Sequence, residues 1–390
     1  MKFVFASDSF KGSLSSGEIG KLLEDEASRV FPSAELVTLP MADGGEGTLD
    51  AIRSVRSGED VALHAQDGLG RSRKTKFFIS DGEAFIESAA ICGLAKVDPN
   101  ELDPFVATSS GVGACIGHAL LRGCRRITVG LGGTCTNDGG MGCLRALGIR
   151  FFDRNGRELA GCGADLSRVA SIDESTLLAQ ARDAEITVMC DVTNPLLGQN
   201  GATRTFAPQK GADAAAVGQL ESGMRNFADV IARTHPRVNF DTPGYGAAGG
   251  LGMALSVFLG AKMRSGIETM LDWLRFDEAL EGADLVVTGE GRLDEQSLHG
   301  KAISGVARRA QREGVPVAAI CGRVRLDREQ IEKLGLEAAI ESGAGQDDEH
   351  ALSHAEENYR RAARQLFENR KSMFDRKCAE IVSDYDIHIR

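Results

Sequence analysis

Lys2-Phe-Val-Phe-Ala6, Ser7-Asp-Ser-Phe-Lys-Gly12 and Ser15-Ser-Gly-Glu18 follow one another at the start of the chain and read as strand, polar loop and helix start. The first is a short apolar run. The last is a capping-box pattern, in which Ser15 and Glu18 satisfy each other's free helix-end donors. Ile19, Leu22, Leu23, Ala27 and Val30 then recur at helical spacing until Pro32 stops the helix. Residues 35–39 read as a second strand, leading through an Asp43-bearing loop into a helix over 48–55. Strand, loop and helix in repetition are the grammar of βαβ units and a parallel sheet.

From about Val61 the grammar changes. Residues 61–65, 74–79 and 84–87 read as consecutive strands, separated by Asp67-Gly68 and Asp81-Gly82 turns, and predict an antiparallel stretch. A helix over 108–121, strands over 126–131 and 185–190, and a helix over 214–232 follow. A strand over 284–288, a helix over 301–312 and a strand over 315–320 restore the opening style. Residues 350–369 close it as a charged amphipathic helix. A chain of 390 residues predicts two domains. The expectation is an α/β protein, with a discontinuous flavodoxin/Rossmann-like domain over 1–62 plus 285–390 and a second α/β domain inserted over 63–284.

Glycine is in excess, 47 of 390 residues against a usual share of about 7%. The excess falls in discrete polar clusters: Asp8–Ser13, Ala42–Thr48, Gly130–Gly140 and Thr288–Asp294. Three of them follow a predicted strand. Glycine permits positive φ and close backbone approach. Successive N–H groups in such loops form anion-binding concavities, so the pattern points to a phosphate-handling enzyme. A net charge of −11 and few aromatics argue against nucleic-acid or anionic-membrane partners. Nine scattered Cys without a C-x-x-C pair indicate neither a zinc ribbon nor a disulfide framework, and fit reduced thiols and a cytoplasmic location. The uncharged stretch 245–261 falls short of the roughly 20 residues of a membrane span and reads as a buried helix.

Each cluster has a chemical and a plainer reading. Asp8, Ser9 and Lys11 sit just past a strand end, where open α/β sheets bind ligands; the alternative is an ordinary polar turn. Asp43 and Glu46 suit Mg²⁺ or a substrate hydroxyl, or they cap the following helix. Thr134, Thr136, Asn137 and Asp138, between Gly132-Gly133 and Gly139-Gly140, resemble an anion cradle. Asp191 ends an apolar strand, as suits a general base, or starts an Asx-type turn before Pro195. Glu290, Arg292 and Asp294 offer charge at another strand end, or only a surface ion pair. Gly244-Tyr-Gly246-Ala-Ala-Gly249 matches G-x-G-x-x-G without a clear preceding strand. It reads equally as an anion-holding helix N-terminus or as glycines that permit tight packing.

Together Asp8-Ser-Phe-Lys-Gly-Ser-Leu14, Pro40-Met-Ala-Asp-Gly-Gly-Glu-Gly-Thr48, Gly132-Gly-Thr-Cys-Thr-Asn-Asp-Gly-Gly140, Asp191-Val-Thr-Asn-Pro-Leu196, Pro208-Gln-Lys-Gly-Ala212, Gly246-Ala-Ala-Gly-Gly-Leu-Gly252 and Thr288-Gly-Glu-Gly-Arg292 with His299-Gly-Lys301 resemble type I bacterial glycerate kinases. The resemblance runs in order from about Met1 to Ile320. Thr134-Cys135 and Val112 depart from the family's usual residues, which bears on substrate preference more than on reaction type. The resemblance implies ATP-dependent, Mg²⁺-assisted phosphorylation of D-glycerate to 2-phosphoglycerate, with the active site in a cleft between the two α/β domains. Its small-molecule partners are D-glycerate and ATP, and a homodimer is compatible with it. In that scheme Lys11 and Asp191 are catalytic. Asp8, Ser9, Lys11, Thr136, Asn137, Asp138 and Arg292 hold the substrate. Gly132, Gly133, Thr134, Gly249, Gly250 and Glu290 hold nucleotide phosphates, and Asp43 and Glu46 hold the metal. A kinase for another small hydroxy acid and a non-catalytic nucleotide or sugar-acid sensor are the competing readings.

Overall fold

The computed structural model describes residues 1–42, 44–298 and 302–387. The chain divides into two compact units. An end unit comprises Met1–Ala42 and Met270–Arg390, and an inserted unit comprises Asp43–Thr269. Both are mixtures of helix and sheet, as the α/β reading expects.

The end unit is built on a five-stranded parallel sheet. Across it the strands run Ala338–Glu341, Val317–Cys321, Leu285–Gly289, Lys2–Ser7 and Glu35–Thr38. Numbered within the unit, that order is 2-1-3-4-5, the flavodoxin-like arrangement. Helix Ser16–Val30 forms because its apolar positions share one face and its start is capped. The Ser15 hydroxyl accepts from the Glu18 N–H at 3.3 Å, and the Glu18 carboxylate accepts from the Ser15 N–H at 2.8 Å. Its buried Ile19, Leu22, Leu23 and Ala27 join Phe3, Phe5, Tyr359 and Phe367 in one core. The closing helix Ala355–Ile387 is longer than the expected 350–369, and a short helix, Asp348–Ser353, precedes it.

The inserted unit carries a six-stranded mixed sheet. Strands Glu59–Gln66, Ser72–Ser80 and Glu83–Glu87 pair antiparallel, as their turn signals predict. Parallel pairing then continues through Arg126–Gly130, Glu185–Met189 and Lys262–Arg264. The strand ends at Glu87, Gly130, Met189 and Arg264 therefore share one edge. The stretch 245–261 is mostly buried, as a short 3₁₀ turn Ala247–Gly250 leading into helix Leu251–Leu259.

The division points differ from 62/63 and 284/285, for physical reasons. Helix Thr48–Val55 belongs to the inserted unit, because the Leu49 N–H donates to the buried Glu87 carboxylate at 3.0 Å and Arg53 pairs with Asp60 at 2.6 Å. At the other end, Asp272 and Asp277 pair with Arg309 of helix Ala302–Arg312, at 2.6 and 3.2 Å, within the end unit. No helix among the described residues is long and apolar enough to cross a membrane.

Candidate active site

In the end unit, the strand order reverses between Lys2–Ser7 and Leu285–Gly289. Open α/β sheets bind ligands at such a switch point, beyond the carboxyl ends of the strands. Two expected loops leave the sheet there. The Asp8 N–H donates to the Gly289 carbonyl at 2.9 Å, which ties the loops together at their roots. A Cβ added to Gly291 would lie 3.6 Å from the Phe10 Cα and 3.8 Å from the Lys11 nitrogen, so the loops run side by side. Phe10 is buried edge-on against Tyr359, with ring centroids 5.4 Å apart, and pins the first loop. Lys11 stands exposed beyond it. Asp8 is nearly buried and accepts from the Ser9 N–H at 2.7 Å.

In the second loop, Glu290 is nearly buried and accepts from the Ser297 hydroxyl, while Arg292 is exposed. Arg323, in the strand paired with Arg292–Leu293, is committed to Glu341 at 3.1 Å and Asp348 at 2.9 Å. Lys11 and Arg292 are thus the exposed cations of these two loops. His299-Gly-Lys301 lies outside the described residues, as does Asp43.

In the inserted unit the expected cradle is largely scaffold. Asp138 is fully buried. Its carboxylate accepts from the Ser109 N–H (2.7 Å) and hydroxyl (2.8 Å), the Gly140 N–H (3.0 Å) and the Gly142 N–H (3.2 Å). It ties the starts of helices Ser110–Leu121 and Met141–Ala146 together. Burial pushes its carboxyl up, against the pull of these four donors. Asn137 is fully buried and donates to the Thr203 hydroxyl at 3.2 Å.

Gly249 and Gly250 are buried and take positive φ, 65° and 96°. A Cβ on Gly249 would fall 2.2 Å from the Thr136 carbonyl oxygen, and one on Gly250 would fall 2.8 Å from the Gly139 Cα. Tight packing accounts for glycine at these two positions. The Gly132 N–H is spent on the Gly44 carbonyl at 3.1 Å. Glu46 is exposed, and among the described residues no cluster of three His, Cys, Asp or Glu could hold a metal.

One small pocket opens at this strand edge. Its volume is about 150 Å³, and its walls include Gly132, Gly133, Thr134, Asp191, Phe206, Gln209, Lys210 and Ala248. That is below the roughly 300–1,000 Å³ of sites for drug-sized ligands, so it suits a small acid rather than a whole nucleotide. Ala248 holds φ 50° without being glycine, a strained conformation of the kind that clusters at functional sites.

Asp191 accepts from the Ser265 hydroxyl (2.7 Å), the Gly266 N–H (3.0 Å) and the Ile267 N–H (3.0 Å), and so caps helix Gly266–Trp273 while facing the pocket. Sequence reasoning named no role for Lys210. Pro208 opens and Gly211 (φ 97°) closes the short turn that carries it. Its ammonium, 2% exposed, donates to the Thr136 carbonyl at 2.6 Å, and burial pulls it down to about 8. The available signal was the quoted Pro208-Gln-Lys-Gly-Ala212, a cation in a tight turn.

Comparison with known proteins places these features in a family. The sequence model of the glycerate kinase family matches residues 3–371. The chain is 42% identical over 371 residues to the glycerate 2-kinase of Escherichia coli (strain K12), covering 94% of this chain and 97% of that protein. It is 40% identical over 369 residues to the glycerate kinase of Bacillus subtilis (strain 168), with the same coverage of 94% and 97%. A crystal structure of a Salmonella typhimurium LT2 protein assigned as a glycerate kinase 2 superposes with a TM-score of 0.81 at 41% identity, covering 96% of this chain and 99% of that one.

Proposed function

Because the chain belongs to the glycerate kinase family, we propose that it transfers the γ-phosphoryl group of ATP, supplied with Mg²⁺, to a hydroxyl of D-glycerate, giving 2-phosphoglycerate. The observation that carries this finer reading is the pocket of about 150 Å³ in the inserted unit, with a cation, a carboxylate and a hydroxyl in its walls. A three-carbon hydroxy acid is the size of ligand such a space accepts.

Phosphoryl transfer depends on positioning and charge neutralisation more than on covalent chemistry. The acid is assigned to the pocket. Asp191, held by the Ser265 hydroxyl and the Gly266 and Ile267 N–H groups, is a fixed acceptor. It aligns the attacking hydroxyl, and the loose transition state places little demand on its basicity. The phosphates are assigned to the end-unit loops, where Lys11 and Arg292 offer exposed positive charge and Ser9 a hydroxyl. The sequence reading gave Lys11 and Ser9 to the acid substrate; their open setting suits a polyphosphate better. Magnesium, when bound, would neutralise the nucleotide's phosphate oxygens. Glu46 would be the described carboxylate offered to that ion.

The test is Mg²⁺-dependent ADP release with D-glycerate, beside L-glycerate, glycolate, tartronate and no acceptor. Release with D-glycerate alone, and a product whose phosphorus couples to the C2 proton, is the expected result. Release with a different acid would move the substrate. ATP binding without release for any acid would leave a sensor.

A further inference from the structure

The pocket of the inserted unit contains a buried positive charge with no counter-ion. Among the described residues, the Lys210 ammonium has no ion-pair partner. Its one hydrogen bond goes to a neutral carbonyl, that of Thr136. Asp138 acts on it only at longer range, since that carboxylate is surrounded by its own four donors. A desolvated ammonium without a paired anion is costly to a folded chain, and is retained where something else supplies the negative charge. A second, independent observation lies in the same wall. The Thr134 hydroxyl is buried, 4% exposed, and has no hydrogen-bond partner. Buried hydroxyls are ordinarily paired, so an unpartnered one on a residue that lines a cavity is a donor for a ligand to take.

We propose that Lys210 and Thr134 together receive the carboxylate of the acid substrate, and make a negative charge the condition for occupying this pocket. This rests on the kinase reading for the identity of the acid, but not for the demand for an anion. A carboxylate has the lone pairs to take both donors at once. A neutral polyol of the same size would leave the ammonium unpaired, and the pocket therefore rejects it. The groups that act on Lys210 are Cys135 and Asp138 in the loop after Arg126–Gly130 and Cys92 at the end of helix Ser88–Cys92, and Asp191 lines the same pocket. Burial outweighs them and brings the ammonium to about 8. Anion binding opposes that shift, so binding above about pH 8 takes up a proton and weakens as pH rises.

The experiment is calorimetric titration of D-glycerate, and of glycerol, into wild type, Lys210→Met and Thr134→Val without nucleotide, with a thermal melt of each. Wild type is expected to bind D-glycerate and not glycerol, with affinity falling above about pH 8. Lys210→Met is expected to lose about 10- to 150-fold in affinity and the pH dependence with it. Its melting temperature should be unchanged or higher, because the variant removes an unpaired buried charge. Thr134→Val should weaken binding by several-fold without lowering stability. A purely structural lysine would move stability and affinity downward together. Wild-type affinity in Lys210→Met, or a loss in it that tracks a lowered melting temperature while Thr134→Val binds normally, overturns the proposal. If wild type releases ADP with D-glycerate in that case, the kinase reading stands without this assignment. If wild type releases ADP with no acid, it is the kinase reading that fails.

Discussion

Lys11 and Lys210 each sit in a glycine-bearing loop, yet the two are finished in opposite ways. Lys11 stands exposed beyond a loop pinned from below by Phe10 and Tyr359. Lys210 is withdrawn into the protein, with one carbonyl for company. The same contrast holds for the loops themselves. Those of the end unit keep charge at the surface, in Lys11 and Arg292. The Gly132–Gly140 loop has turned its polar groups inward: Asp138 fastens two helix starts, and Gly249 and Gly250 let a neighbouring turn seat on it. One glycine-rich composition serves an open charged rim in one unit and a rigid wall around a small enclosed charge in the other. A polyphosphate, which brings its own metal and water, suits the first. A small acid that must shed its water suits the second.

The largest expected effect tests whether the wall is scaffold. Asp138→Ala leaves four buried donors without an acceptor and should cost about 3–5 kcal/mol in urea unfolding. A stability within about 1 kcal/mol of wild type, together with lost substrate affinity, would return Asp138 to the list of ligand residues and erase the contrast. Next is Asp191→Asn, which keeps one oxygen for the helix cap. It should lower kcat by about a hundredfold with little change in KM. Full activity would take Asp191 out of the chemistry and leave it only its cap. Smaller again is Lys11→Ala. An exposed charge contact to phosphate should raise the KM for ATP by about tenfold and spare that for glycerate. The reverse pattern would restore the assignment of Lys11 to the acid substrate.

The sequence carried the frame of the end unit because its signals are local. The capping box at Ser15, the apolar spacing from Ile19 to Ala27 and the stop at Pro32 are all readable within one helix. The antiparallel stretch was legible for the same reason, through its turn dipeptides. Strands Lys262–Arg264 and Ala338–Glu341 went unread, since three or four residues carry too little periodicity to stand out. Helix Thr48–Val55 was legible as a helix but assigned to the wrong unit, because its place depends on Glu87 and Asp60 farther along the chain. The site divides along the same line. Strand-end loops can be located from pattern alone, but whether a loop side chain faces a ligand depends on what packs behind it. Asp138 looks like a ligand residue until Ser109 and the two helix starts are placed on it. Lys210 looks like a surface lysine until the loops bearing Thr136 and Ala248 enclose it.

Two buried carboxylates give the finest test, because the units hold them in opposite ways. In the end unit, the Glu26 side chain is fully buried between helices Ser16–Val30 and Ala355–Ile387. Burial alone would raise its pKa. Bonds from Arg364 at 2.9 Å and Arg360 at 3.3 Å, with the nearby charge of Arg29, overturn that and hold it below the usual carboxylate range. A lowered folded value contributes stability that is present above the unfolded value of about 4.3, and that is lost as pH falls through the folded one. Asp138, raised by burial, has the opposite sign. Its contribution is fully present below the unfolded value of about 3.9 and lost as pH rises through the folded value. Acid should therefore loosen the end unit first. Amide exchange in Ser16–Val30 should accelerate below about pH 4 while Met141–Ala146 stays protected, and Glu26→Gln should flatten the acid limb of the end unit alone. Simultaneous loss of protection in both helices, unchanged by Glu26→Gln, would mean that acid unfolds the chain through groups other than these two, and that their opposite settings do not govern which unit yields.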